Sequence, residues 1–415
     1  MRPTVATVSL EAIQHNLRAV RELLARETSA RGDGKDRAEN AENAERPNEQ
    51  SLRPLRSLRE TSASQRESSA SRRGPPGILA VVKANAYGHG AAQVGRALEA
   101  AGASMLACAD VEEGVSLREA GVRIPLLVFG ALISDVAGVF DYDLTPTVSS
   151  PAAASALAAA AAARGVRLRC HLKIDTGMNR LGFRFDNLGR TMPSVLGSPH
   201  LAFDAVCTHF ATADLPESPF LEAQRSRFEQ ALATLDGLGW RPPARHAANS
   251  AALLRDSRTW YDLVRPGLLL YGLAPPPLNA TTLDLRPALS LTSRIVAVKG
   301  VRPGEGTGYG LRWTAEGPRS IAIVPAGYAD GIDTRLANRG AVLVRGRRVP
   351  VVGSVCMDMM TIDVTGLDLA PGDEVAIIGR QGGEEITARE IAATIGAIPW
   401  EVVCRLGARI GRQYS

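Results

Sequence analysis

No stretch of about 18 uncharged apolar residues occurs in this 415-residue chain, and its N-terminus lacks the apolar segment of an export signal. Neither membrane insertion nor secretion is therefore expected. The longest apolar run, Ala152 to Ala163, is nearly all alanine; it buries too little surface to anchor in lipid and predicts a soluble helix. Cysteine is scarce. Cys108, Cys170, Cys207, Cys356 and Cys404 are odd in number and widely spaced, without paired metal-ligand spacing, which excludes a disulfide or zinc framework and suits a reduced cytoplasm. A dominant charge is missing too: 48 basic residues face 43 acidic ones along the whole chain, so the net +5 is a weak footprint for nucleic acid.

A local deficit marks Thr28 to Pro76. This segment has no aromatic residue, and Leu52, Leu55 and Leu58 are its only large aliphatics. Such a composition cannot build a packed core, and residues 28–76 are expected to form a disordered insertion. Lengthening a surface loop costs little closure entropy, so the surrounding fold should tolerate it.

The chain as a whole is 45% apolar and long enough for two domains. From Ile78 to about Leu270, short apolar strands alternate with helices, which predicts parallel βα units. Strands are expected at Ile78–Val82, Met105–Ala109, Pro125–Phe129, Val166–Ile174 and Ala202–Thr208. After Leu285 the texture changes to short strands between Gly and Pro turns: Ser290–Val298, Ser320–Val324, Ala341–Val344, Val349–Val352, Met360–Val364 and Glu374–Ile378. One helix is expected there, Ala388–Ile395, with Thr387 and Glu390 spaced as a capping box. The fold class is α/β: a barrel domain at 1–284, carrying the insertion, and a mainly β domain at 285–415.

The most informative residue is Lys83, where the hydrophobic run of AVVKANAYGHG (Ala80 to Gly90) ends on a single amine. An amine so placed can condense with an aldehyde; a solvated strand-end lysine is the plain alternative. Four further segments follow in order: HLKIDTGMNRLG (His171 to Gly182), CTHFATAD (Cys207 to Asp214), DLVRPGLLLYG (Asp262 to Gly272) and GEGTGYG (Gly304 to Gly310). Taken together, these motifs resemble those of the alanine racemases, and the resemblance spans Arg2 to Glu27 and Gly77 to Arg412. It implies an eight-stranded parallel (β/α)8 barrel followed by a β-rich domain, pyridoxal 5'-phosphate as cofactor, a small amino-acid substrate, and a homodimer with shared active sites supplying D-alanine for cell-wall peptidoglycan.

By that resemblance, Lys83 carries the cofactor as a Schiff base and acts as the base for D-alanine. Tyr309 is the opposite-face base for L-alanine and enters the partner chain's site. His209, linked to Arg265, helps Tyr309 ionise, while Arg265 meets the pyridine nitrogen. Tyr87, Ser250, Gly267 and Leu268 match phosphate contacts, the last two through backbone amides. Arg180 matches the residue at the cofactor's phenolic oxygen, and Met357 one whose backbone meets the substrate carboxylate. Lys173 matches a lysine that the family often carboxylates to orient the arginine. On pattern alone, Tyr309 reads equally as a turn tyrosine, His209 as a satisfied strand-end histidine, Arg265 as an exposed strand end, Lys173 as charge-paired and Met357 as core.

Two departures from the family pattern stand out. Trp400 replaces a tyrosine whose hydroxyl reaches the phosphate, and an indole cannot reproduce that geometry. At the entrance, Tyr328 matches a gate tyrosine, but Thr334 aligns with the usual gate arginine, leaving Arg335 displaced by one; Asp214, another entrance residue, is a candidate partner for Arg335. A serine or broader small amino-acid racemase of the same fold is the alternative activity, and a cofactor-binding protein without turnover is the alternative from another class. The latter leaves Tyr309 and His209 without a reason.

Overall fold

In the computed structural model, residues 2–44, 74–130, 136–275 and 283–415 are described, those at 31–44 by their backbone alone. Strand β1 (Val5–Val8) is followed by helix α1 (Leu10–Ala44). Ile13, Leu17, Val20 and Leu24 are fully buried on one stripe of the helix, where each contributes roughly 1.5–3 kcal/mol by burial. The helix continues through Thr28, whose hydroxyl donates to Leu24 O at 2.7 Å, as far as Ala44. Its residues 28–44 fall in the segment expected to be an insertion. A composition too polar for a core still propagates a helix already nucleated on a buried face, adding one hydrogen bond per residue through Ala, Arg and Glu. Residues 45–73 of the expected insertion lie outside the described residues.

Parallel strands then close the expected barrel: β2 (Gly77–Val81), β3 (Met105–Cys108), β4 (Leu126–Val128), β5 (Thr145–Val148), β6 (Leu168–Asp175), with β7 (Phe183–Arg184) appended, then β8 (Leu201–Cys207), β9 (Ala244–Asn249) and β10 (Leu263–Arg265). Closure runs through Val264 against Ile78 and Thr147 against His171. The five strands expected here fall within two residues of those observed. Alternation along each strand separates inside from outside. Leu79, Val81, Met105, Ala107 and Leu127 form an apolar cluster of their own, while Ile78, Ala80 and Leu106 join the core shared with the helices. Carried one step further, the parity of the first group leads to Lys83 after β2 and Phe129 after β4. On the other strands the same parity gives Thr147, Lys173, His209 after β8, and Arg265 at the end of β10. Polar chemistry thus gathers at the C-terminal mouth of the barrel, where the strands hand over to their loops.

The second sheet contains β11 (Leu289–Arg294), β12 (Ala297–Val301), β13 (Arg319–Val324), β14 (Ala341–Val344), β15 (Arg347–Val352), β16 (Met360–Asp363), β17 (Glu374–Gln381), β18 (Glu384–Ile386) and β19 (Gly411–Tyr414). Its order is β12-β13-β16-β15-β14-β17-β11-β1-β19, with β18 on β17. The single strand expected at Ser290–Val298 is two. At Ile295 and Val296 the chain changes partners, donating to Asp373 O and Ile323 O, and β12 continues beside β13. Strand β1 also belongs here, antiparallel to β11 and parallel to β19, so residues 5–8 pair outside the barrel that follows them. The helix Ala388–Ile395 is present as expected, and Thr387 Oγ1 accepts from Glu390 N at 3.1 Å. A shorter helix, Pro399–Cys404, packs on the turn after Lys83. Gly88, at φ 82°, is required there, since a Cβ would stand 2.2 Å from Val403 O.

Candidate active site

Lys83, Lys173, Arg180, His209 and Arg265 line one cavity of about 230 Å³ at the barrel mouth, together with Phe129, Thr147 and Cys207. A larger cavity of about 440 Å³ lies between the barrel's last turn and the second sheet, but it contains neither Lys83 nor Arg265. The smaller one is the candidate site because the convergent nitrogen groups are there.

Arg265 is buried at the centre. Its Nη2 donates to Thr208 O and Ala247 O, both at 2.8 Å, and to His209 Nδ1 at 3.1 Å, while Nη1 donates to His246 Nδ1 at 2.8 Å. A guanidinium only donates, so both histidines accept through Nδ1 and, when neutral, carry their proton on Nε2. His246 Nε2 then donates to His171 Nδ1 at 2.9 Å, which fixes a third tautomer. Burial first, and then the Arg265 charge, hold the pKa of His209 and His246 well below the usual histidine value. Burial lowers Arg265 itself to about 10, leaving it protonated at neutral pH. The loop carrying His209 is braced by buried Gln224, which donates to His209 O and Thr176 Oγ1 and accepts from Ala211 N.

The two lysines differ in their surroundings. Desolvation, followed by the Arg180 charge, lowers the pKa of Lys83. Lys173 is brought down to about 8 by desolvation, with Arg265 and Arg180 acting the same way and Cys207 opposing them. The buried Thr147 hydroxyl in the same cavity has no hydrogen-bond partner among the described residues.

Beside this cavity is a cradle of donors. Gly267 N lies 3.0 Å from Ser250 Oγ, and a Cβ on Gly267 would sit 2.7 Å from the Tyr87 hydroxyl. Leu268 opens the short helical turn Leu268–Tyr271, so its amide is an N-terminal donor. Tyr87 packs on Tyr271 with ring centroids 5.0 Å apart. Trp400 sits on the helix Pro399–Cys404, whose Val403 meets Gly88, one residue beyond Tyr87.

The remaining expected residues stand apart from the cavity. Tyr309, Met357 and Tyr328 are 79%, 51% and 46% exposed on the second sheet's loops, so Met357 is not a core methionine. They form one patch: Ser354 Oγ donates to Tyr309 O, Tyr328 N to Cys356 O and Ala329 N to Met357 O. Asp214 lies in the loop after β8. In this chain Arg335 pairs with Asp333 at 2.8 Å rather than with Asp214, because Asp333 caps the short helical turn that holds Arg335. His171 and His246 were missed in the sequence. Their signal was a histidine at an inward position of a barrel strand.

Comparison with known proteins agrees over almost the whole chain. The family model "Alanine racemase, N-terminal domain" matches residues 62–275, and "Alanine racemase, C-terminal domain" matches residues 288–414. The alanine racemase of Symbiobacterium thermophilum is 44% identical over 342 residues, 82% of this chain and 91% of that protein. That of Carboxydothermus hydrogenoformans is 37% identical over 417 residues, covering both chains in full. Among solved structures, the alanine racemase from D-cycloserine-producing Streptomyces lavendulae superposes with a TM-score of 0.84 at 32% identity, over 100% of this chain and 97% of that one. The chain belongs to the alanine racemase family and is an amino-acid racemase.

Proposed function

We propose that the protein interconverts L- and D-alanine with pyridoxal 5'-phosphate, as a homodimer in which each subunit completes the other's site. One observation carries this reading: Lys83, His209 and Arg265 share the barrel mouth while Tyr309 stands 79% exposed outside it. The donor set fits the cofactor. Tyr87, the Ser250 hydroxyl and the Leu268 amide offer neutral donors for a phosphate; the Gly267 amide, which here donates to Ser250 Oγ, would join them by turning to the phosphate, and a Cβ on Gly267 would crowd the Tyr87 hydroxyl at 2.7 Å. Once bound, pyridoxal phosphate supplies the electron sink that acidifies the substrate Cα–H.

Lys83 supplies the amine that holds the cofactor. Desolvation lowers its pKa, which suits it to move a proton on the D-alanine face. Tyr309 of the second subunit takes the L-alanine face. With His209 Nδ1 occupied by Arg265, its Nε2–H is free to donate to the Tyr309 oxygen and favour the phenolate. Arg265 keeps its own proton, so it would meet a cofactor ring nitrogen as a hydrogen-bond donor without protonating it, and proton exchange would be left to Lys83 and Tyr309. Arg180 would orient the cofactor's phenolic oxygen, held there by Lys173 once carboxylated; Met357 would offer its backbone to the substrate carboxylate. Tyr328, Asp214 and Arg335 border the entrance, and Trp400 replaces a phosphate hydroxyl, shifting that load to Tyr87 and Ser250.

The described cysteines are all free, in keeping with a cytoplasmic enzyme supplying D-alanine for peptidoglycan. Tyr309 and Tyr328 narrow the space around the substrate methyl, where a hydroxyl without a buried partner costs desolvation. Alanine is then preferred and serine is slow. Purified protein assayed with both enantiomers of alanine, serine and lysine tests this: comparable efficiency on alanine and lysine contradicts it, and cofactor binding without turnover overturns the enzymatic reading.

A further inference from the structure

Lys83 is followed by four residues, Ala84, Asn85, Ala86 and Tyr87, whose φ values are 52, 53, 55 and 53°. This is a left-handed helical turn made of L residues, a conformation that is disfavoured at each position and persists only where its surroundings impose it. Its internal bonds are Ala86 N to Val82 O at 2.8 Å, Gly88 N to Ala84 O at 3.0 Å and Gly90 N to Asn85 O at 2.9 Å. Asn85 Oδ1 also accepts from Ala91 N. These bonds close the turn on itself and on the helix that follows, but they do not fix it to the neighbouring strand.

Glu113 makes that connection. Its Oε1 accepts from Ala84 N at 2.6 Å and its Oε2 from Ala109 N at 2.8 Å. The carboxylate is itself placed by the first turn of the helix Val111–Glu119, where Asp110 Oδ1 accepts from Glu113 N at 2.9 Å. One side chain thus spans the segments that leave β2 and β3 at the barrel mouth, using both of its oxygens. Charge-assisted bonds of this kind are the stronger class. Ala84 is solvent-exposed, so its amide owes its protection to this contact. Burial lowers the pKa of Lys83, and Arg180 and Arg265 act the same way; Glu113, with Cys404, opposes them.

We propose that Glu113 is the positioning residue for Lys83: its carboxylate clamps the left-handed turn to the end of β3 and so fixes the spacing between the lysine amine and the Tyr87 hydroxyl. The proposal rests on the roles given above to Lys83 and Tyr87, since these are the groups whose separation must match a single cofactor.

Hydrogen exchange read peptide by peptide on the holoenzyme tests the clamp independently of turnover. In the wild type, the Ala84 and Ala109 amides should be protected. In Glu113→Ala, peptides covering residues 83–90 and 107–111 should exchange about tenfold faster or more, while peptides from β6 to β10 and from the second sheet stay unchanged. Affinity for pyridoxal phosphate should fall about tenfold, and Glu113→Gln, which keeps one acceptor oxygen, should lie between the two. An unprotected Ala84 amide in the wild type overturns the proposal, and so does unchanged or chain-wide acceleration in Glu113→Ala. Should that variant not fold, the wild-type measurement decides alone. A wild type that does not racemise alanine yet protects Ala84 sinks the functional reading and leaves the clamp standing.

Discussion

Arg265 donates to Nδ1 of His209 across 3.1 Å, which leaves the histidine's remaining proton on Nε2 and its lone pair engaged. Arg265→Glu replaces a fixed donor with a group that can protonate a ring nitrogen and cannot hold His209 in this tautomer. Racemisation should fall by about 100-fold, and formation of keto acid per turnover should rise. Chiral amino-acid analysis alongside keto-acid assay reads both; an unchanged partition removes Arg265 from its assigned role.

Four imidazoles are kept neutral by the fold. Burial lowers His89 and His171 to about 4 and pushes His209 and His246 well below the usual range. The unfolded chain protonates these groups as pH falls below about 6.5, while in the folded chain His89 and His171 resist until about 4. Stability is therefore complete above that window and lost as pH falls through it, by roughly 3 kcal/mol for each histidine shifted this far. Thermal melting from pH 7 to pH 4 should show the loss, and a flat Tm over that range contradicts it.

Much of the site was legible because strand parity is a property of the chain. In LAVVK the inward residues run from Leu79 through Val81 to Lys83, and in HLK from His171 to Lys173, so the lysines announce the barrel mouth once the strands are placed. The His246–His171 contact was not legible: burying an imidazole is costly unless a partner waits across the barrel, and that partner lies 75 residues away. The end of α1 at Ala44 was not legible either, since composition reports on the capacity to form a core and not on where a nucleated helix stops. The split between β11 and β12 depends on a change of strand partner at Ile295, which leaves no mark on a run that reads as strand throughout.

Lys173, held at about 8, is neutral in about a tenth of molecules at pH 7, far more than an ordinary lysine. That fraction favours addition of carbon dioxide to its amine beside the unpartnered Thr147 hydroxyl. Intact mass under non-acidifying conditions should exceed the sequence mass by about 44 Da, and Lys173→Ala should abolish the increment. An unmodified wild-type mass contradicts the assignment.

Gly267 leaves no space for a methyl beside Tyr87, the contact being 2.7 Å. Gly267→Ala should displace the Tyr87 hydroxyl and raise the Kd for pyridoxal phosphate by roughly tenfold or more, with little change in Tm. Cofactor titration of the apoprotein measures it; unaltered affinity argues that the phosphate is held elsewhere.

The proposed shared site takes Lys83 from one subunit and Tyr309 from the other. Lys83→Ala and Tyr309→Phe chains, each inactive alone, should be mixed under conditions where subunit exchange is confirmed by mass. Half of the dimers are then mixed, each with one intact site, so activity should recover to about a quarter of the wild-type value per chain. No recovery despite confirmed exchange contradicts the shared site.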